Sequence, residues 1–236
     1  VTMNVIERKI RALVHRRLLP KWLQRATWNR EYALGHWDSR AMHTLSDPIY
    51  ELLAKYCADR DICDIGCGHG NTICEMFPIH QRYTGMDISD VAIRIAAKRA
   101  RAAGRERVAF VQGYMHTFTP NEKPDVFLFR ESLMYVARWR TRIPRDIRAF
   151  LRRYASMLAP GGIMILRLCT STPAEVFLAD QVEAIVRESF EVIECRRTEE
   201  PAALLCVFQP SWPRPDPRWV VSPRYTNLVP DDDKFD

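Results

Sequence analysis

No run of apolar residues in this 236-residue chain approaches the roughly 18–20 that a membrane span needs. Arg, Asp or Gly breaks each run first, so a transmembrane protein is not expected. The first residues are basic but lack the apolar stretch and small-residue cleavage site of a secretory signal, which makes the cytoplasm the expected location. Paired C-x-x-C spacing is missing too. Cys63, Cys67 and Cys74 lie close in sequence, yet no matching histidine cluster follows, so no metal is expected. The seven cysteines (57, 63, 67, 74, 169, 195, 206) are an odd number, several within apolar runs, and are expected to be reduced, mostly buried thiols. No internal repeat is present. What remains is ordinary: 47% hydrophobic and 27% charged residues, values of a globular enzyme-sized chain.

The net charge of +6 is local. Residues 1–30 hold eight Lys or Arg against the single acid Glu7 and so carry +7, which leaves −1 for the other 206 residues. A nucleic-acid enzyme would need basic character around its cleft as well, so nucleic acid is not the expected partner. Ile6, Ile10, Leu13 and Val14 recur at helical spacing, and residues 3–19 read as a basic amphipathic helix ended by Pro20. Such a helix packs its stripe on the domain or, as a weaker alternative, touches an anionic partner or membrane surface. Residues 210–236 hold six of the fifteen prolines and read as an extended tail that Trp212, Trp219 and Tyr225 could pin to a surface. Three regions result: a basic arm (1–30), a central domain (31–209) and a proline-rich tail (210–236).

Within 31–209, apolar runs alternate with turns and helical stretches, the mark of an α/β fold. Strands are expected at 61–65, 82–87, 107–111, 125–130, 162–168, 191–196 and 203–208. Helices are expected at 71–77, 89–103, 145–158 and 173–188. Strands rich in Ile, Val, Leu and Phe on both faces imply a doubly wound, seven-stranded, mostly parallel sheet. Residues 21–58 add helices over its carboxyl edge, as an N-terminal lid.

Ligands of such sheets bind at the strands' carboxyl ends, which places the first strand-to-helix turn in the site. That turn reads Asp64-Ile65-Gly66-Cys67-Gly68-His69-Gly70. Its G-x-G-x-G spacing departs from the nicotinamide fingerprint, whose third glycine would fall at Asn71. A pyrophosphate is gathered by a helix N-terminus, whereas a cationic amino-acid ligand is better served by carbonyls and a carboxylate, which Asp64 supplies. Asp87, ending the second strand, is placed to accept both hydroxyl protons of a ribose. The implied ligand has an adenosine and a positive charge.

With these motifs the sequence resembles the class I S-adenosylmethionine-dependent methyltransferases. The Asp64 to Gly70 turn, the acid Asp87 and the turn Leu158-Ala159-Pro160-Gly161-Gly162 are similar to three of that family's motifs, in the same order, within residues 30–208. Where the family often has an acid after the third strand, this chain reads Gln112-Gly113-Tyr114-Met115-His116, and Tyr114 and Met115 would sandwich the base. The segment Glu131-Ser132-Leu133-Met134-Tyr135 looks like the E-x-L-x-Y element of small-molecule methyltransferases acting on sugars and natural products. Glu31 to Asp38 resembles the same subgroup's aromatic closing segment. The resemblance implies a Rossmann-like methyltransferase fold, S-adenosylmethionine as cofactor with S-adenosylhomocysteine as product, and a small-molecule acceptor methylated on oxygen or nitrogen. It assigns Asp64, Gly66, Cys67, Gly68, Gly70, Asp87, Ile88, Tyr114, Met115 and Arg130 to the cofactor, and Tyr32, Trp37 and Tyr135 to the acceptor.

Methyl transfer from a sulfonium is an in-line displacement of an activated donor, so alignment and exclusion of water are the protein's main tasks. A hydroxyl acceptor must lose its proton, and Glu131 followed by His36 are the candidate bases. Glu131 could instead pair with Arg130 or hold the N-terminal segment. His69, in the glycine turn, suits a cofactor contact, and His116 lies near the same mouth. His15, His43 and His80 are expected at the surface or in the core. Two other readings compete: a macromolecule methyltransferase docked by the basic helix, and a non-catalytic scaffold that keeps the cofactor fold.

Overall fold

The computed structural model describes residues 20–37, 47–75, 81–137 and 140–211. The expected basic helix at 3–19, the tail beyond Ser211, and His15, His43 and His80 lie outside them.

All seven expected strands form: β1 (Asp61–Ile65), β2 (Arg82–Asp87), β3 (Val108–Gln112), β4 (Val126–Arg130), β5 (Ile163–Cys169), β6 (Glu191–Glu199) and β7 (Ala202–Gln209). They make one sheet in the order β3-β2-β1-β4-β5-β7-β6. The first five are mutually parallel, and β7 slots antiparallel between β5 and β6. Strand order reverses between β1 and β4, which opens a crevice at their carboxyl ends.

Alternate strand residues feed two cores, as a pleated strand requires. Cys63, Ile65, Phe127 and Phe129 pack on one face against α5 (Ile143–Ser156) and α6 (Pro173–Ser189). Ile62, Val126, Leu128 and Ile165 pack on the other against α2 (Ile49–Tyr56), α3 (Asn71–Glu75) and α4 (Asp90–Ala102). Each fully buried Leu, Ile or Phe contributes about 1.5–3 kcal/mol, so this layered sandwich is the main source of stability. Helix starts are chemically marked. Ser89 caps α4 by accepting from Ala92 N, and Thr172 and Glu175 form a reciprocal capping box on α6. Pro144 occupies the first turn of α5, so that helix begins two residues before the expected 145.

Helix α1 (Lys21–Ala33), with Pro20 at its N-cap, spans residue 30, where the basic arm is drawn to end. Three expectations need correction. Among the described residues of 21–58, α1 lies over the carboxyl edge, whereas α2 buries Ile49, Leu52 and Leu53 on a sheet face, because its apolar stripe demands a partner surface. β3 is an edge strand with Ala109, Val111 and Gln112 exposed, so it is not covered on both faces. Finally, the thiols are not all free. Cys195 and Cys206 stand directly opposite across β6 and β7 and form a disulfide, while Cys57, Cys63, Cys67, Cys74 and Cys169 are free. Strand register brought that pair together, and register is invisible in a cysteine count.

Candidate active site

β1 delivers the chain to the glycine turn, and Met86 O on β2 receives both Gly66 N (2.8 Å) and Cys67 N (3.0 Å). Gly66 and Gly68 have φ of +82° and +54°, a region costly for other residues. A β-carbon on Gly66 would stand 2.8 Å from Ser132 Cβ, and one on Gly68 would stand 2.8 Å from Tyr32 Oη. Gly70 works elsewhere: it abuts Ala96 of α4 and does not line the cavity, so its need is helix packing. Cys67 is buried and its thiol is pushed well up by that burial, which makes it a small neutral wall.

Two buried carboxylates flank this turn. Asp64 Oδ2 accepts from Tyr83 Oη at 2.6 Å, while Oδ1 has no hydrogen-bond partner. Asp87 accepts from Gly68 N at 3.0 Å and from Ser89 N at 2.8 Å. Burial pushes both acids up to about 6, more than their hydrogen bonds pull them down. A carboxylate offers about four lone-pair sites, so Asp87 keeps capacity for further donors after its two backbone bonds. Ile88 follows it, held by Gln112 Nε2 on its carbonyl at 3.1 Å. Beyond β3, Gly113 N bonds Asp87 O at 2.8 Å and Tyr154 Oη bonds Met115 O at 2.7 Å, which fixes the Tyr114-Met115 segment at the same rim.

Asp64, Gly66, Cys67, Gly68, Asp87, Ile88, Tyr114 and Met115 line one cavity of about 820 Å³ over the sheet's carboxyl edge. Its roof is α1. Asn29 fastens that helix to the β2–α4 turn, accepting from Ser89 Oγ at 2.7 Å and donating to Asp90 Oδ1 at 2.6 Å. Trp28 packs with Trp37 (5.6 Å between centroids) and edge-on with Tyr135 (5.3 Å). Tyr32, expected to contact the acceptor, lines the cavity with its hydroxyl over Gly68 of the glycine turn. Burial, with Asp87 adding to it, holds its hydroxyl protonated and therefore a donor. His69 Nε2 lies 3.1 Å from Trp37 O, joining the glycine turn to the lid.

The other half of the cavity lies over β4 and β5. Arg130 donates to Asp47 Oδ2 (2.9 Å) and Tyr50 Oη (3.0 Å). Arg167 reaches Asp47 at 3.2 Å and pairs with Glu131. The partner of Glu131 is therefore Arg167 and not Arg130, and Glu131 holds a φ of +58° to face it. His116 lines the cavity beside the rings of Tyr114 and Phe150. His36 does not line it: its side chain is 45% exposed, with Nδ1 3.4 Å from Glu31, so its position does not suit a catalytic base. Asp47, Arg167 and Asn29 carried no motif to single them out, because their partners lie tens of residues away in sequence. Among the described residues, no group of His, Cys, Asp and Glu is placed to hold a metal ion, and no helix is long and apolar enough to cross a membrane.

Comparison with known proteins agrees with this geometry. A trans-aconitate 2-methyltransferase of Acidovorax sp. (strain JS42) is 33% identical over 126 residues, covering 51% of this chain and 43% of that protein. A ubiquinone biosynthesis O-methyltransferase of Bradyrhizobium sp. (strain ORS 278) is 33% identical over 105 residues, 44% of this chain and 37% of its own. The chain thus spans less than half the length of these two relatives. Among solved structures, the N-methyltransferase NodS of Bradyrhizobium japonicum WM9, in complex with S-adenosyl-L-homocysteine, superposes with a TM-score of 0.55 at 20% identity, over 74% of this chain and 87% of that one. The [4+2]-cyclase SpnF superposes with a TM-score of 0.52 at 19% identity, over 70% and 80%, so the fold is shared more widely than one reaction. Residues 58–214, the whole sheet and both acid motifs among them, match the family described as methyltransferase domain, and to that family the chain belongs.

Proposed function

We propose that this chain transfers a methyl group from S-adenosylmethionine to an oxygen or nitrogen of a small metabolite in the cytoplasm. The observation that carries the reading is the pair Asp64 and Asp87: two buried carboxylates astride one glycine turn, opening into a cavity with room beyond them. The unpartnered Asp64 Oδ1 suits an ammonium, and the spare lone pairs of Asp87 suit two ribose hydroxyls. Gly66 and Gly68 leave the space a β-carbon would fill, Tyr32 closes it from above, and Ile88, Tyr114 and Met115 form the walls for the base. When bound, the cofactor supplies a methyl carbon on a sulfonium sulfur, open to in-line attack. The chain's own work is to seat the acceptor on that line and exclude water with α1 and its rings. Glu131 is the group placed to orient an acceptor or take its proton, through the carboxylate oxygen that Arg167 does not hold. The cytoplasmic setting rests on the sequence reading.

Isothermal titration tests this. Folded protein is expected to bind S-adenosylhomocysteine at one site, and Asp87→Ala to weaken binding at least about tenfold, as loss of a charged hydrogen-bond acceptor does. Absence of binding, or equal binding by the variant, overturns the proposal. Consumption of labelled cofactor in the presence of a cell extract separates an enzyme from a scaffold.

A further inference from the structure

Resting on the methyl-transfer reading above, we infer that the acceptor is a cationic amine, methylated on nitrogen, and not a carboxylic acid. Sheet order divides the cavity. The turns after β1, β2 and β3 hold the nucleoside half, so the acceptor half is formed by the ends of β4 and β5, the start of α6 and the β6–β7 turn. Its charge is one-sided. The described residues lining the whole cavity include six carboxylates and two guanidiniums. Both guanidiniums are already committed: Arg130 to Asp47 at 2.9 Å, and Arg167 to Asp47 at 3.2 Å and to Glu131, with their side chains only 12% and 10% exposed. That network is balanced within itself, so among the described lining residues no arginine or lysine is left over to receive an acid. Glu175, at the start of α6, and Glu200, in the β6–β7 turn, then add negative charge at the mouth.

Rings lining the same cavity favour the same occupant. Trp28, Trp37 and Tyr135 cluster there, and the faces of such rings carry negative potential that attracts a cation. A carboxylate drawn into this cavity would lose its hydration and meet repulsion from the glutamates. An ammonium would meet attraction from carboxylates and rings alike.

The chemistry uses that field. The amine enters as an ammonium and gives its proton to water at the mouth. Its nitrogen lone pair then forms the new N–C bond as the C–S bond breaks, with the electron pair of that bond passing to sulfur. Sulfur ends neutral as a thioether, and nitrogen ends as the cation. Positive charge therefore moves from the β1 side of the cavity to the β4–β5 side, toward the carboxylates and rings, and a field fixed in advance stabilises charge where it develops.

The test is calorimetry on protein loaded with S-adenosylhomocysteine, with three probes: 1,4-diaminobutane, phenethylamine and trans-aconitate. Mass spectrometry of the same compounds after incubation with S-adenosylmethionine gives the product. At least one amine is expected to bind and gain a methyl group, while trans-aconitate does neither. The double variant E175Q/E200Q keeps an oxygen at position 175 for the α6 cap and is expected to lower amine affinity about tenfold, leaving S-adenosylhomocysteine affinity unchanged. Binding or methylation of trans-aconitate, failure of both amines to bind, or amine affinity equal in the double variant overturns the inference. Failure of the wild-type chain to bind S-adenosylhomocysteine overturns the methyl-transfer reading itself, so the two failures are distinguishable.

Discussion

Asp64 and Asp87 are held out of water at some cost, and that cost predicts opposite responses of stability and binding. Burial raises both to about 6 from an ordinary value near 3.8. An acid whose folded-state pKa is raised binds its proton more tightly in the folded state, so these two groups make the bare protein more stable as pH falls from 7 toward 5, and that contribution is lost as pH rises through the same range. A cationic ligand needs them ionised. Acidification is therefore expected to weaken S-adenosylhomocysteine binding below about pH 6 while the melting temperature of ligand-free protein holds or rises. Asp64→Asn can keep the bond from Tyr83 and sheds a buried charge. It is expected to stabilise the bare chain by about 1–2 kcal/mol at pH 7.5, read by urea denaturation, and to lose at least about tenfold in ligand affinity. Gly68→Ala should do neither gently: the left-handed backbone costs about 1 kcal/mol, and the new methyl would press on Tyr32 Oη, so calorimetry should show weakened binding with a lowered melting temperature. At this scale the sequence exposed the two acids and the turn, since spacing on either side of a strand end is local. It did not expose that Gly70 abuts Ala96 or that Tyr32 lies over Gly68, since each pair joins different elements.

Among elements, α1 is the one whose hold on the molecule is polar. It buries only Gln24 fully, and its attachment runs through Asn29 and the ring cluster instead of an apolar stripe. Such an element opens at less cost than the α5 and α6 layer. Removing both hydrogen bonds with Asn29→Ala is expected to speed amide hydrogen exchange in residues 21–33 by roughly tenfold, about 1.4 kcal/mol of local opening, with exchange in β1 and β4 unchanged. The cofactor KM should then rise by a larger factor than kcat falls, because the loosened roof still closes once a ligand is seated. The strands were legible from composition to within a few residues, and β6 alone ran three residues further than expected. Which face each helix covers was not legible for α2, whose stripe is equally consistent with the sheet edge until β-strand side chains supply the matching surface.

The molecule as a whole is tied across the sheet's carboxyl edge by the Asp47, Arg130, Arg167 and Glu131 network, which joins the segment ahead of α2 to two central strands. Breaking a buried ion pair from one side strands the remaining charge, so Asp47→Asn, which leaves Arg130 and Arg167 short of an anion, is expected to lower global stability by about 3 kcal/mol in urea denaturation. Its ligand-free stability loss should exceed that of Glu131→Gln, since Asp47 serves both arginines and Glu131 one. The linear order of residues determined the sheet, the turn at its first strand and the two acids, because alternation, glycine spacing and strand-end position are properties of short stretches. Only the folded chain decided which arginine holds Glu131, which cysteines meet, which rings roof the cavity and what sign of charge its far half presents. Those depend on side chains separated by dozens of residues and on pairing register, and register turns on packing of the entire sheet.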